Sequence, residues 1–317
     1  MPLITHIVTP SHLSKRLDLY IAHYEPHLSR NRIQTLIREG LARVDGRTEK
    51  AGYKVKLGEQ VTIELPERTV REVLPENIPL VVIYEDAHLI VLNKPPGLVV
   101  HPAPGNYTGT LVNALLYHYG SLPSSGPGPG VTERERAGIV HRLDKDTSGV
   151  MVVARSQEAL RALSAQFKSR VVQKKYLALV AGVIKKGSGT IDAGLGRHVK
   201  ERKKISVHTR HAREAVTLYQ VKERYPNATL VEVEIKTGRT HQIRVHMAHL
   251  GHPVLGDSTY GGGSARSGMD VARQMLHAES LSLLHPETGH PLTFSVPPPE
   301  DMARVIETLR TQRLARR

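Results

Sequence analysis

The chain has 317 residues, with 44 Lys or Arg against 30 Asp or Glu, a formal charge of +14 at pH 7 and no Cys. The missing Cys excludes a disulfide framework, a Cys-ligated zinc or iron–sulfur centre and Cys nucleophilic catalysis. The basic residues run through ordinary globular sequence rather than a tail, so a nucleic acid is the expected partner.

The start, MPLITHIVTP, lacks the charged head and apolar run of a signal peptide. No window approaches the ~18 apolar residues of a membrane span, so no membrane association is expected. With no Cys, a reducing, cytoplasmic setting fits. Trp is absent and there are two Phe, which leaves the core to aliphatic side chains.

Residues 12–66 read as a first module. Ser14 is placed to cap a helix carrying Leu17, Ile21 and Tyr24. Ser29 is placed to cap a second, with Ile33, Leu36 and Ile37 on one face and Gly40 as its stop. Asp45-Gly46 has the composition of a tight hairpin turn. Val61, Ile63 and Leu65 alternate with polar residues, the pattern of a half-buried strand. The charged, Pro-punctuated residues 67–79 read as a linker.

A second domain is expected over residues 80–310. It opens with two apolar runs of strand length, Leu80–Tyr84 and Leu89–Leu92. GSLPSSGPGPG at 120–130 is too rich in Gly and Pro for a regular element. Val150–Ala154 reads as a buried strand and Ser156–Lys168 as an amphipathic helix. Tyr176–Val183 and Ala228–Ile235 read as further strands, and Met302–Leu314 as a closing helix. Strands outnumber helices without regular alternation, which predicts an α+β fold with a mixed sheet.

Three segments set polar residues within apolar sequence. In Ile139–Gly149, IVHRLDKDTSG, Arg142 and Asp144 fall on one side of an extended chain, although Asp, Thr, Ser and Gly equally make a plain turn. In the second, Tyr176 opens a strand beside Lys174 and Lys175. The third, Thr237–Pro253, carries four His whose spacing suits a metal poorly: His241 and His246 are five apart, and HExxH and paired Cys are absent. A basic, hydrogen-bonding helix beside RNA fits that stretch better, with His241 among its RNA contacts. A phosphate-binding GxxxxGK[ST] loop and a GxSxG elbow are absent. The run Arg197–Arg213 holds seven Lys or Arg, including Lys203 and Lys204, against one Glu, which suits phosphate contact.

The first module, LSRNRIQTLIREGLARVDGRTEKAGYKVKLGEQVTIELP, resembles the S4 RNA-binding domain. That resemblance implies an RNA-facing second helix and flank: Ser29, Arg30, Arg32, Lys54 and Lys56. HRLDKDTSG, EDAHLIVLNKPPGLVVHPAPG and TGRTHQIRVHMAHLGHPVLGDSTYGG resemble, in order and spacing, the pseudouridine synthases of the RluA family. GNYTGTLVNALLYHY and RQMLHA most resemble its RluD type, which modifies 23S ribosomal RNA.

The resemblance implies a mainly antiparallel sheet with flanking helices. It also implies conversion of uridine to pseudouridine without cofactor or metal, because the base is detached, turned and rejoined with nothing oxidised or lost. It assigns Asp144 as the catalytic carboxylate, Arg244 as the guanidinium that keeps it charged and oriented, and Tyr176 as a ring for the flipped uracil whose hydroxyl helps remove the C5 proton. It makes Arg142 a filler for the place the base leaves. The partner implied is 23S ribosomal RNA or a pre-50S particle, met by a monomer. The alternatives are a non-catalytic RNA-binding or ribosome-assembly factor on the same fold and, more distantly, a metal-dependent nuclease.

Overall fold

A computed structural model describes residues 3–28, 30–65, 73–102, 105–124, 137–201, 204–209, 211–263 and 271–315. The chain divides into two units, Met1–Glu72 and Val73–Gly126 with Glu133–Arg317.

In the first unit, helical and alternating apolar spacings meet in one core. Its elements are β1 (Leu3–Ile7), α1 (Leu17–Tyr24), α2 (Arg30–Arg38), β2 (Ala42–Val44), β3 (Arg47–Thr48) and β4 (Gln60–Glu64). The antiparallel sheet is ordered β1-β4-β2-β3. Leu17 and Ile21 of α1, Ile33, Leu36 and Ile37 of α2, and Val61 and Ile63 of β4 are buried together. Asp45 and Gly46 both adopt positive φ, 46° and 75°, as a two-residue hairpin turn requires.

Ser14 does not cap α1. It sits at φ 61°, and Arg16 holds the cap position without a side-chain cap bond. The first amides of the helix are satisfied instead by main chain: Leu17 donates to the Tyr53 carbonyl at 2.7 Å and Asp18 to that of Ala51 at 3.1 Å. Ser29 lies outside the described residues.

The larger unit begins before residue 80. Val73 is buried in its core, the Glu76 amide donates to the Asn113 carbonyl, and Asn113 Nδ2 donates to the Leu74 carbonyl at 2.7 Å. Residues 73–79 are therefore packed chain; the rest of the expected linker, 67–72, lies outside the described residues.

The unit comprises β5 (Val81–Glu85), β6 (Leu89–Lys94), α3 (Leu111–Tyr119), β7 (Ser148–Ala154), α4 (Gln157–Ser169), β8 (Gln173–Ala181), β9 (Ser188–Asp192), β10 (Gly196–Arg197), β11 (Ile205–Ser206), β12 (Val216–Arg224), β13 (Ala228–Ile235), α5 (Gln242–His249), β14 (Leu276–Leu284), β15 (Pro291–Ser295) and α6 (Glu300–Leu314). Nine strands form one sheet, ordered β5-β6-β7-β14-β8-β13-β12-β9, with β15 added on β14. Its pairings are antiparallel except β7 with β14. This is the mixed, mainly antiparallel α+β architecture the sequence implied.

Strand β7 is buried throughout, and its period of two sorts its side chains between two cores. Met151 and Val153 pack with Ile90, Leu92, Leu111 and Leu115; Val150, Val152 and Ala154 pack with Leu160 and Leu163 of α4. Ser156 caps α4 by accepting from the Ala159 amide at 3.1 Å. Strand β5 is apolar yet exposed along its length, because it forms a sheet edge. No described helix is long and apolar enough to cross a membrane.

Gly149 makes the parallel contact possible. It sits at φ 120°, and a Cβ built there would lie 2.1 Å from the Ala278 carbonyl oxygen of β14. Gly149→Ala is expected to destabilise the protein by roughly 3 kcal/mol through backbone strain and displaced strands. Chemical denaturation monitored by circular dichroism checks this; an unchanged midpoint would contradict the close approach.

Candidate active site

The loop between Ile139 and β7 is held by its main chain. Leu143 is buried in the core, and the Thr147 amide closes a turn on the Asp144 carbonyl at 3.1 Å. Lys94 Nζ and the Gly97 amide both donate to the Lys145 carbonyl, at 2.9 and 3.0 Å. Arg273 Nη1 donates to the Asp146 carbonyl at 3.0 Å, and Gln274 Nε2 to Thr147 Oγ1 at 3.0 Å. His141 Nε2 accepts from the Val152 amide at 3.0 Å, and its ring stacks on Phe167. The Asp144 side chain is left 20% accessible.

Arg244 reaches Asp144 from α5. Its Nη1 donates to Asp144 Oδ2 at 3.0 Å. Its other edge is clamped by a residue the sequence reading passed over: Nε and Nη2 donate to Asp257 Oδ2 and Oδ1 at 2.7 and 3.0 Å. Asp257 is fully buried, and its Oδ1 also accepts from the amides of Thr259 and Tyr260. Burial works against the charge of Arg244, but the hydrogen bonds and field of Asp257, followed by those of Asp144, more than offset it and raise its pKa. The guanidinium also lies 5.1 Å from the centre of the Tyr260 ring.

Tyr176 is the fourth residue of β8 rather than its first. Burial and then the charge of Asp144 raise its pKa, so the phenol stays protonated. Among the described residues its hydroxyl has no hydrogen-bond partner. Asp144, Tyr176 and Arg244 line one cavity of about 480 Å³, with Ile235, Ile243 and Leu276 as apolar wall and Arg142 at its edge. The size falls within the usual range for small-molecule pockets.

His241 lines the same cavity, with Nδ1 2.8 Å from the Tyr260 hydroxyl and Nε2 3.9 Å from Asp144 Oδ2. Burial lowers its pKa against the opposing pull of Asp144, which favours the neutral ring. Helix α5 itself does not present a basic face. Gln242 to Met247 are buried, and His246 bonds Thr217 Oγ1 and the Ala193 carbonyl. Among the described residues no group of His, Asp and Glu is arranged to hold a metal.

The other expected RNA contacts differ in exposure and pairing. Arg142, Arg30, Lys54 and Lys56 are exposed and Arg32 is half-buried. Arg30 and Arg16 both reach the buried carboxylate of Asp18, at 3.4 and 3.0 Å. Lys204 pairs with Glu201 at 2.7 Å, and Lys203 lies outside the described residues.

Residues 88–249 match the RNA pseudouridylate synthase family, and residues 15–61 match the S4 domain. An uncharacterized RNA pseudouridine synthase of Bacillus subtilis (strain 168) is 46% identical, covering 94% of this chain and 95% of that one. Ribosomal large subunit pseudouridine synthase D of Xanthomonas campestris pv. campestris is 44% identical, covering 96% and 92%. The chain belongs to the RNA pseudouridylate synthase family. Among solved structures, human RNA pseudouridylate synthase domain containing 1 superposes with a TM-score of 0.56 at 26% identity, over 74% of this chain and 96% of that one.

Asp257 was hidden because a lone Asp in LGDSTYGG reads as a turn residue. Replacing it with Asn keeps the volume and removes the charge that holds Arg244. Asp257→Asn is expected to lower kcat about 10- to 100-fold at unchanged RNA affinity. In an Arg244→Met background the same change should cost little more, whereas additive losses would show that Asp257 acts elsewhere.

His141 makes a pH prediction. Burial, reinforced by Lys174, pushes its pKa from 6.5 down to about 3. The unfolded chain therefore takes up this proton first, so the contribution is full above pH 6.5 and is lost as the pH falls toward 3. Unfolding by denaturant at pH 7 and pH 4.5 should show a smaller pH difference for His141→Gln, which retains an acceptor for Val152, than for the parent.

Proposed function

We propose that the enzyme isomerises uridines of large-subunit ribosomal RNA, with Asp144 as the reacting carboxylate. The observation that carries this reading is the 3.0 Å pair between Arg244 and Asp144 on the wall of a cavity that Tyr176 also lines.

The chemistry must open the N1–C1′ bond, turn the uracil and close C5 on C1′. The target base first leaves its stack, at a cost of a few kcal/mol. The ring of Tyr176 and the side chains of Leu276 and Ile235 offer replacement packing for it. Arg244, held by Asp257, favours the ionised Asp144 and fixes the oxygen it presents. A protonated Tyr176 can take the C5 proton only while passing its own on, so stacking is its principal contribution. Arg142 lines the cavity and is exposed, which supports giving it the gap the base leaves.

Binding outside the cavity falls to the S4 unit, through Arg30, Arg32, Lys54 and Lys56, and to the basic stretch 197–213. The relative from Xanthomonas is named for the large ribosomal subunit, which supports ribosomal RNA as the substrate. Free 23S RNA or a pre-50S particle presents it, in the cytoplasm, to a monomeric enzyme.

Asp144→Ala tests this. RNA affinity should stay within about threefold while pseudouridine formation on a 23S transcript falls by at least about 10³-fold. Retained turnover would remove Asp144 from the chemistry. A parent protein that binds the RNA and forms no pseudouridine on it would favour a binding or assembly role.

A further inference from the structure

Asp144 stands between two cavities. Arg142, Leu143, Asp144, His241 and Arg244 line both the 480 Å³ cavity described above and a second of about 370 Å³. The two differ in chemistry. The first sets Tyr176, Leu276 and Ile235 as an apolar wall beside cations that include Lys174, Lys236 and Arg239. The second is walled largely by polar groups, among them Lys145, Asp146, Ser258 and Arg273.

Some of those groups belong to the fold. Arg273 holds Asp301 through Nε and Nη2, at 2.6 and 2.8 Å, and two carbonyls through Nη1. Gln274 holds Thr147. Among the described residues, the Lys145 ammonium, the Arg142 guanidinium, the Ser258 hydroxyl and the Asp146 carboxylate have no protein hydrogen-bond partner. Two cations, a hydroxyl and a carboxylate do not suit a nucleobase stack. They suit a ribose-phosphate: the Lys145 ammonium for the phosphate, and a carboxylate to accept from a sugar hydroxyl.

A nucleotide in a strand fixes where that group must lie. With uracil against Tyr176 and C1′ at Asp144, the sugar and a flanking phosphate have to leave the first cavity past Asp144. We propose that the second cavity is a subsite for the ribose-phosphate adjoining the target uridine, with Lys145 as its phosphate contact. This rests on Asp144 being the reacting carboxylate.

Lys145 is suited to the task by a division of labour. The fold uses only its main chain: its carbonyl accepts from Lys94 Nζ and from the Gly97 amide. Its side chain is exposed, so the ammonium stands on a fixed base while remaining uncommitted. The side chain can therefore be changed without releasing the loop that carries Asp144.

Lys145→Gln and Lys145→Arg test the subsite on an unmodified 23S transcript. For Lys145→Gln, KM is expected to rise about three- to tenfold, with the slope of log affinity against log salt reduced by about 0.7, one phosphate contact. kcat should change less than about twofold, with thermal stability unchanged, and Lys145→Arg should restore KM and slope. Parent-like affinity and slope in Lys145→Gln would overturn the subsite, as would a loss confined to kcat. Activity in Asp144→Ala would instead overturn the reading on which the subsite rests.

Discussion

The structure of the site depends on one buried guanidinium shared by two carboxylates. Arg244 has a side-chain accessibility of 7% and Asp257 of 0%, so neither charge could stand there alone. Breaking such a pair costs roughly 3–5 kcal/mol, mostly as an unpaired buried charge. The arrangement also has a direction. Asp257 occupies the Nε–Nη2 edge and is itself fixed by two amides, which leaves Nη1 to point at Asp144. A single hydrogen bond then orients a carboxylate that is open to the cavity.

The fold delivers the members of this chain from distant segments. Asp144 and Arg244 are 100 residues apart and meet because β7 and α5 belong to one unit. The Asp144 loop does not rely on its own side chains for shape. Lys94, Gly97 and Arg273 hold its carbonyls, and Gln274 holds Thr147. Lys94 is fully buried and donates to three carbonyls, with burial pushing its pKa down to about 7 against the pull of Asp146 and Asp144. Gly149 lets β7 lie against β14 directly behind the loop. Side chains that face the cavity are thus separated from groups that build it, which is what preorganisation requires.

Much of this was legible in the sequence. Alternation identified β4, and Ser156 with its apolar spacing identified α4, because those elements bury one face in a regular way. Long-range partners were less visible. Arg244 was reached only through a family resemblance, since nothing local in HQIR indicates a carboxylate a hundred residues away. Asp257 lies within a block that resembles the family, but neither periodicity nor its neighbours in LGDSTYGG single it out as the partner of Arg244. Helix α5 looked basic and surface-facing because its Gln, Arg and His residues are polar, yet Gln242, Arg244 and His246 are buried and hydrogen-bonded, and only His249 at its end is exposed. Ser14 had the composition of a cap, but carbonyls at Ala51 and Tyr53 had already satisfied those amides. Composition reports the need for a partner and not which partner meets it.

The most direct test is a structure of the protein bound to RNA carrying 5-fluorouridine at a target site. Fluorine replaces the C5 proton whose loss completes the reaction, so the rejoined nucleotide should be held in place. The base is expected in the 480 Å³ cavity against Tyr176, with C1′ beside Asp144 Oδ and Arg244 still bridging Asp144 and Asp257. A base bound elsewhere, or an Arg244 that has released Asp144 in the complex, would contradict this.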